Sequence, residues 1–164
     1  MSVGAASVES DAQLARLLQI GVVLEEVVEV RAHRNYQRLP AAERDDAIEE
    51  LLSEAREESA AHRHRLEALI EQLNAESVDP ETVEALVGEK YSQDGPEGFD
   101  DVLYDQLNGE ETAYKFYDDL IDAVEASDAE FAVDRGELLS VLRDIREDEA
   151  AGVEEVAELM EGRE

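Results

Sequence analysis

The chain has no cysteine, three prolines, nine glycines and only two lysines, Lys90 and Lys115, in 164 residues. Without cysteine there are no disulfides, no thiol catalysis, no zinc ribbon and no rubredoxin-type iron centre. Few basic residues argue against nucleic acid, whose phosphates need a basic face. An anionic membrane surface would repel the chain as well. The opening Met1-Ser-Val-Gly lacks the basic residues of a secretory leader. The longest strongly apolar uncharged run, Leu17 to Leu24, falls far short of the ~20 residues that span a bilayer. A soluble, cytoplasmic protein is expected.

What the sequence does contain is acid. Forty-four Asp and Glu against 14 Lys and Arg give a net charge of −30, yet 43% of residues are hydrophobic. That apolar share is enough for a folded core, so the chain is not an acidic disordered tail. One domain over 1–164 fits the length. A foldable chain this acidic fits molar salt, where a Debye length of about 3 Å mutes self-repulsion. The composition therefore points to a salt-in halophile.

The periodicity is helical almost throughout. Long helices are predicted over about 10–38, 45–75, 99–126 and 134–161, with a short one over about 80–90. Ser10 or Asp11 caps the first, and Pro40 follows its end. Asp46-Ala-Ile-Glu49 resembles a capping box. Asp79-Pro80 opens the short helix, and Tyr91 to Gly98 reads as a loop. Short turns make the long helices two antiparallel hairpins. The 23 residues between the hairpins, 76–98, suffice to travel back along a bundle.

The inward stripes carry acids. The first helix reads Leu18, Val22, Glu25, Glu29, Ala32, Tyr36, Leu39. The second reads Ile48, Leu52, Ala55, Ser59, His62, Leu66, Leu69, Leu73. The third reads Leu103, Leu107, Glu110, Ala113 or Tyr114, Tyr117, Leu120 or Ile121, Val124. The fourth reads Leu138, Leu142, Ile145, Glu149, Gly152, Val156, Leu159. Each is apolar at its ends and polar near its middle, and none carries Lys or Arg. Buried carboxylates without a basic partner are costly. A bound cation is the natural compensation. Three Glu and one His suit iron, manganese or zinc better than calcium.

A second regularity supports the set. Glu29 to Tyr36 and Glu110 to Tyr117 share the pattern E-x-x-A-x-x-x-Y. Arg56 to His62 aligns with Arg146 to Gly152. The hairpins thus read as internal repeats. Facing residues of an antiparallel hairpin lie equally far from its turn. Glu110 with Glu149, and Glu29 with Ser59, both meet that test. Glu25 is the rival to Glu29 if the first turn centres on Pro40.

These residues resemble the ferritin-like superfamily, and its rubrerythrin branch most: Glu on helix one, E-x-x-H on helix two, Glu on helix three, E-x-x-H on helix four. The resemblance covers roughly residues 10 to 162. It implies an all-α, ferritin-like four-helix bundle of two hairpins with one long crossover. It also implies an intrabundle metal site holding iron, mono- or dinuclear, with redox chemistry on ferrous iron or peroxide. Glu29, His62, Glu110 and Glu149 match its ligand positions, with Glu149 bridging if two metals bind. Two positions depart: helix two reads Ser59-Ala-Ala-His62 and helix four reads Glu149-Ala-Ala-Gly152. Glu58, one turn before His62, offers a replacement acid. No residue replaces the missing histidine at Gly152. The departures motivate the rival reading, a binding or scaffold bundle that has lost its metal. His33 and His64 read as exposed. Tyr36 and Tyr117 are either partners of buried carboxylates or core aromatics.

The first helix also carries a second apolar stripe, Ile20, Val23, Val27 and Val30, widened by Leu17 and Leu24. One stripe suffices for a surface helix. A second one predicts a homodimer or larger assembly through this helix, unless residues 1–10 or 76–98 cover it.

Overall fold

In the computed structural model the described residues are 8–44, 46–75 and 99–162. They form four long helices: α1 (Asp11–Arg38), α2 (Asp46–Gln72), α3 (Phe99–Ala126) and α4 (Arg135–Glu161), with a 3-10 turn at Ala41–Glu43. No strand occurs among the described residues. The helix predicted over 80–90 lies outside them. Side-chain caps start two of the helices. Ser10 Oγ accepts the Gln13 amide at 3.2 Å, and the Asp134 carboxylate accepts the Glu137 amide at 2.9 Å. Leu39 is extended because Pro40 follows it, and α1 stops there. α2 ends at Gln72, three residues before the predicted end. No described helix is long and apolar enough to cross a membrane.

Cross-helix contacts set the directions. Gly21 of α1 faces Leu66 of α2, and Asp11 accepts the Asn74 amide just past the end of α2, so the two are antiparallel. Glu110 of α3 lies against Gly152 of α4, and Asp118 pairs with Arg146. α1 runs antiparallel to α3, since Arg31 meets Asp105 while Glu25 meets Tyr117. α2 runs antiparallel to α4, since His62 meets Asp148 while Gln72 meets Glu137. This is a four-helix bundle in which α2 ends, and α3 begins, at opposite ends.

Apolar clusters close both ends. Leu14, Leu18, Leu66, Leu69, Leu120, Val124, Leu138 and Leu142 fill one. Ala32, Leu39, Ile48, Leu52 and Val102 fill the other, with Leu159 and Tyr36 against them. Each fully buried Leu contributes about 1.5–3 kcal/mol, so the ends hold the helices around whatever lies between. Between them lies a layer of buried polar groups: Glu25, Ser59, His62, Gln106, Glu110 and Glu149.

The buried faces of α2 and α4 follow the predicted stripes, except that Ala55 and Leu159 are half-buried and Leu139, off the stripe, is also buried. α1 does not match. Its buried face runs Leu14, Leu18, Gly21, Glu25, Ala32, Asn35, Leu39, while Val22, Glu29 and Tyr36 stand half-buried at the flanks. Two tertiary contacts turn the helix this way. A Cβ on Gly21 would lie 3.2 Å from Leu66 Cδ1 and 3.3 Å from Phe116 Cε1, so the bare backbone admits both side chains. Asn35 donates to Asp105 at 2.7 Å, and Arg31 clamps the same carboxylate at 2.6 and 3.1 Å. On the second apolar stripe of α1, Val23 is buried among Ile20, Leu24 and Val27, and Val30 is exposed.

Candidate metal centre

Three side chains from three helices converge in the polar layer. Glu25 of α1, His62 of α2 and Glu149 of α4 are all buried, and one ligand-type atom from each lies within 4.8 Å of the others. His62 Nδ1 is 3.3 Å from Glu25 Oε1 and 3.3 Å from Glu149 Oε1. Positions 25 and 62 are equally far from the 43–44 turn, as an antiparallel hairpin requires. The other edge of the ring faces outward. His62 Nε2 is 2.9 Å from Asp148 Oδ2, and Glu58 joins these two in a second, partly exposed group. One imidazole therefore stands between two acidic groups, one on each nitrogen.

The remaining polar side chains hold the carboxylates in place. The Tyr117 hydroxyl donates to Glu25 Oε1 at 2.7 Å. The Gln106 amide donates to Glu110 Oε1 at 2.9 Å. Glu25 Oε2 is buried with no hydrogen-bond partner. A buried carboxylate oxygen without a partner is costly.

The electrostatics follow from burial among like charges. Burial pushes the Glu149 carboxyl well up, and hydrogen bonding to Glu110 and the charge of Glu25 add to the effect. Glu58 is raised to about 7, first by burial and then by Glu110, Asp148 and Glu25, against the opposing pull of His62. Burial alone would lower His62. Hydrogen bonds and charge from Glu25, then Asp148 and Glu58, outweigh it and raise the ring to about 9. Tyr117 is pushed well above its ordinary value by burial and by Glu25. Without a metal, the layer relieves its repulsion with protons.

The structure places the five predicted ligands unevenly. His62 and Glu149 belong to the inner group. Glu110 is buried beside Glu149 but lies outside both groups. Glu58 sits on the outer edge of His62, in the second group with Asp148. Glu29 is in neither group. It is half-buried, 3.6 Å from Arg63, and its Oε2 makes no hydrogen bond. Its place is taken by Glu25, the rival at the same spacing. The tyrosine question also resolves unequally: Tyr117 serves Glu25, whereas Tyr36 lies under the Arg44 guanidinium. His33 and His64 are exposed as expected. Sequence reasoning passed over Asp148 and Gln106. Asp148 sits in an acidic run of the kind that is usually a solvated face. Gln106 is four residues before Glu110, one helical turn, which is the signal that would have found it.

No family model matches the chain, and neither a curated protein nor a solved structure matches it. Fold and site thus define a class by geometry alone: an all-helical four-helix bundle with a buried Glu–His–Glu group across its middle.

Proposed function

We propose that the protein is a ferritin-like metal-binding bundle whose centre holds a transition-metal cation, iron first, with manganese or zinc as alternatives. The observation that carries this is the Glu25–His62–Glu149 group, with a partnerless buried oxygen on Glu25. Mixed carboxylate and imidazole donors suit these metals. Glu25, His62 and Glu149 would hold the ion, with Glu110 and Glu58 flanking them. Bound iron would supply one-electron chemistry toward dioxygen or peroxide. The chain's own residues would orient the donors, Tyr117 holding Glu25 and Asp148 holding His62. The opposite-end placement of α2 and α3 supports the single long crossover of that topology.

Metal binding raises the melting temperature of apo protein by mass action, worth about 2.7 kcal/mol at a free metal concentration one hundred times Kd. Ferrous iron under anaerobic conditions, or Mn²⁺, should produce that rise. Glu25→Gln should remove most of it and Glu29→Gln should not. Equal responses from the two variants would defeat the proposed ligand set.

One observation favours the rival, a metal-free scaffold. Both nitrogens of His62 already have carboxylate partners, so a protonated ring can neutralise part of the layer unaided. Protein purified without chelator or affinity resin, then assayed for metal, separates the two readings.

We also propose that two chains pair through the outer face of α1, supported by the apolar side chains Ile20, Leu24, Val27 and exposed Val30 around Val23. Light scattering in molar KCl should show a dimer or larger. A wild type that is monomeric at tens of micromolar would rule the pairing out.

A further inference from the structure

We infer that this centre is built for one cation and that Gly152 makes it so. The inference rests on the metal-binding proposal above and concerns how many ions the layer takes. In the ferritin-like pattern that the proposal above rests on, a second ion would draw on Glu110, Glu149 and a ligand at position 152. Here the space at position 152 is already filled. A Cβ on residue 152 would lie 2.7 Å from Glu110 Oε2 and 2.8 Å from Glu110 Cδ, so the Glu110 carboxylate rests against the bare backbone of Gly152. Its other oxygen is held by Gln106 at 2.9 Å. A carboxylate seated at both oxygens in a notch that only glycine leaves open is a packed part of the wall.

The donor count agrees. Among the described residues, both groups able to hold a metal contain His62, and neither contains Glu110. Ser59, also buried on the α2 stripe, brings no carboxylate. A second full set of three donors would need a second imidazole or an inward acid besides Glu110, which is seated against Gly152, and among the described residues the layer has neither. The outer group of Glu58 and Asp148 shares the same ring through Nε2, so it orients His62 and supplies no independent site. One divalent ion balances the two carboxylates of Glu25 and Glu149 beside a neutral imidazole, which removes the uncompensated buried charge.

The test is a count on the full chain. Chelator-stripped protein is titrated with Mn²⁺ alone in molar KCl, which screens the acidic surface. The ions that disappear in His62→Ala are counted per chain. One is expected for the wild type. Glu110→Gln, which is isosteric and keeps the notch filled, should still bind one; Glu149→Gln should lose it. Gly152→His, which restores an imidazole and evicts Glu110, should bind two, while Gly152→Ala stays at one. Two His62-dependent ions in the wild type, or loss of the ion in Glu110→Gln, would overturn the inference and leave metal binding standing. No His62-dependent ion at all would overturn the metal-binding proposal and this inference with it. A folded Gly152→His that still binds one ion would remove Gly152 as the determinant. Should that variant fail to fold, the counts for wild type and Glu110→Gln decide the number of ions, and Gly152→Asp, a smaller donor at the same place, decides the role of Gly152: two ions support it and one overturns it.

Discussion

The two hairpins share a sequence pattern and play different parts in the central layer. α1 and α2 contribute Glu25 and His62, and their equivalents of Glu110 and Tyr117, namely Glu29 and Tyr36, lie at the flank. α3 and α4 contribute Glu110 and Glu149, the tyrosine that serves Glu25, and a glycine in place of a histidine. Each hairpin has one glycine facing inward, and the two do opposite work. Gly21 lets Leu66, Phe116 and Tyr117 close on α1. Gly152 admits a charged carboxylate from α3. A repeat in sequence therefore preserves helix length and spacing, but it does not preserve the rotation of each helix about its own axis. That rotation answers to whatever packs against the smallest side chains.

The comparison is easiest to break at His62, the one imidazole in the layer. Removing one partner from a buried, paired charge costs about 3–5 kcal/mol. His62→Ala should therefore destabilise metal-free protein by about that much in a urea titration. A loss comparable to that of an exposed histidine such as His33→Ala would mean that the first hairpin does not anchor the layer.

The tyrosines sharpen it further. Tyr117→Phe removes the hydroxyl that donates to Glu25 and should cost about 1–3 kcal/mol. Tyr36→Phe, at the equivalent place in the repeat, should stay within about 0.5 kcal/mol. Equal costs would restore the symmetry that the pattern implies.

A pH series on metal-free protein should show a smaller effect. His62, raised from its ordinary 6.5 to about 9, adds stability that is present below about 6.5 and lost as pH rises through 9. Glu58, raised from 4.5 to about 7, favours the fold in its protonated form, so its contribution is also lost, between pH 4.5 and 7. Both act in one direction: the melting temperature should fall from pH 5 to pH 9. Glu58→Gln should flatten the lower half of that fall. A melting temperature that climbs over the same range would contradict the assignment.

Salt should show no difference between the hairpins. The −30 charge belongs to the whole chain, so molar KCl should raise the unfolding midpoints of wild type, Tyr36→Phe and Tyr117→Phe by similar amounts. A wild-type midpoint independent of salt would sink the halophile expectation.

Much of the fold was legible beforehand for a simple reason. Three-and-four spacing of Leu and Ile on α2 and α4 is a local property, and so are the Ser10 and Asp134 caps and the Pro40 stop. The same spacing marked the polar middle of each stripe, and with it His62, Glu110 and Glu149. The choice between Glu25 and Glu29 was not legible. Both lie on a stripe of the right period, and both face a plausible partner across the turn. The decision came from residues distant in the chain: Leu66 and Phe116 closing on Gly21, and Asp105 drawing in Arg31 and Asn35. Asp148 was hidden for a related reason, since nothing in an acidic run shows which member meets an imidazole on another helix. Local spacing, caps and breakers were enough for the four long helices, their approximate lengths, their apolar ends and the acids and one histidine between them. Only the tertiary structure decided which acids meet that histidine, because side chains meet across helices according to axial rotation, and rotation is set by packing between segments that the chain order keeps apart.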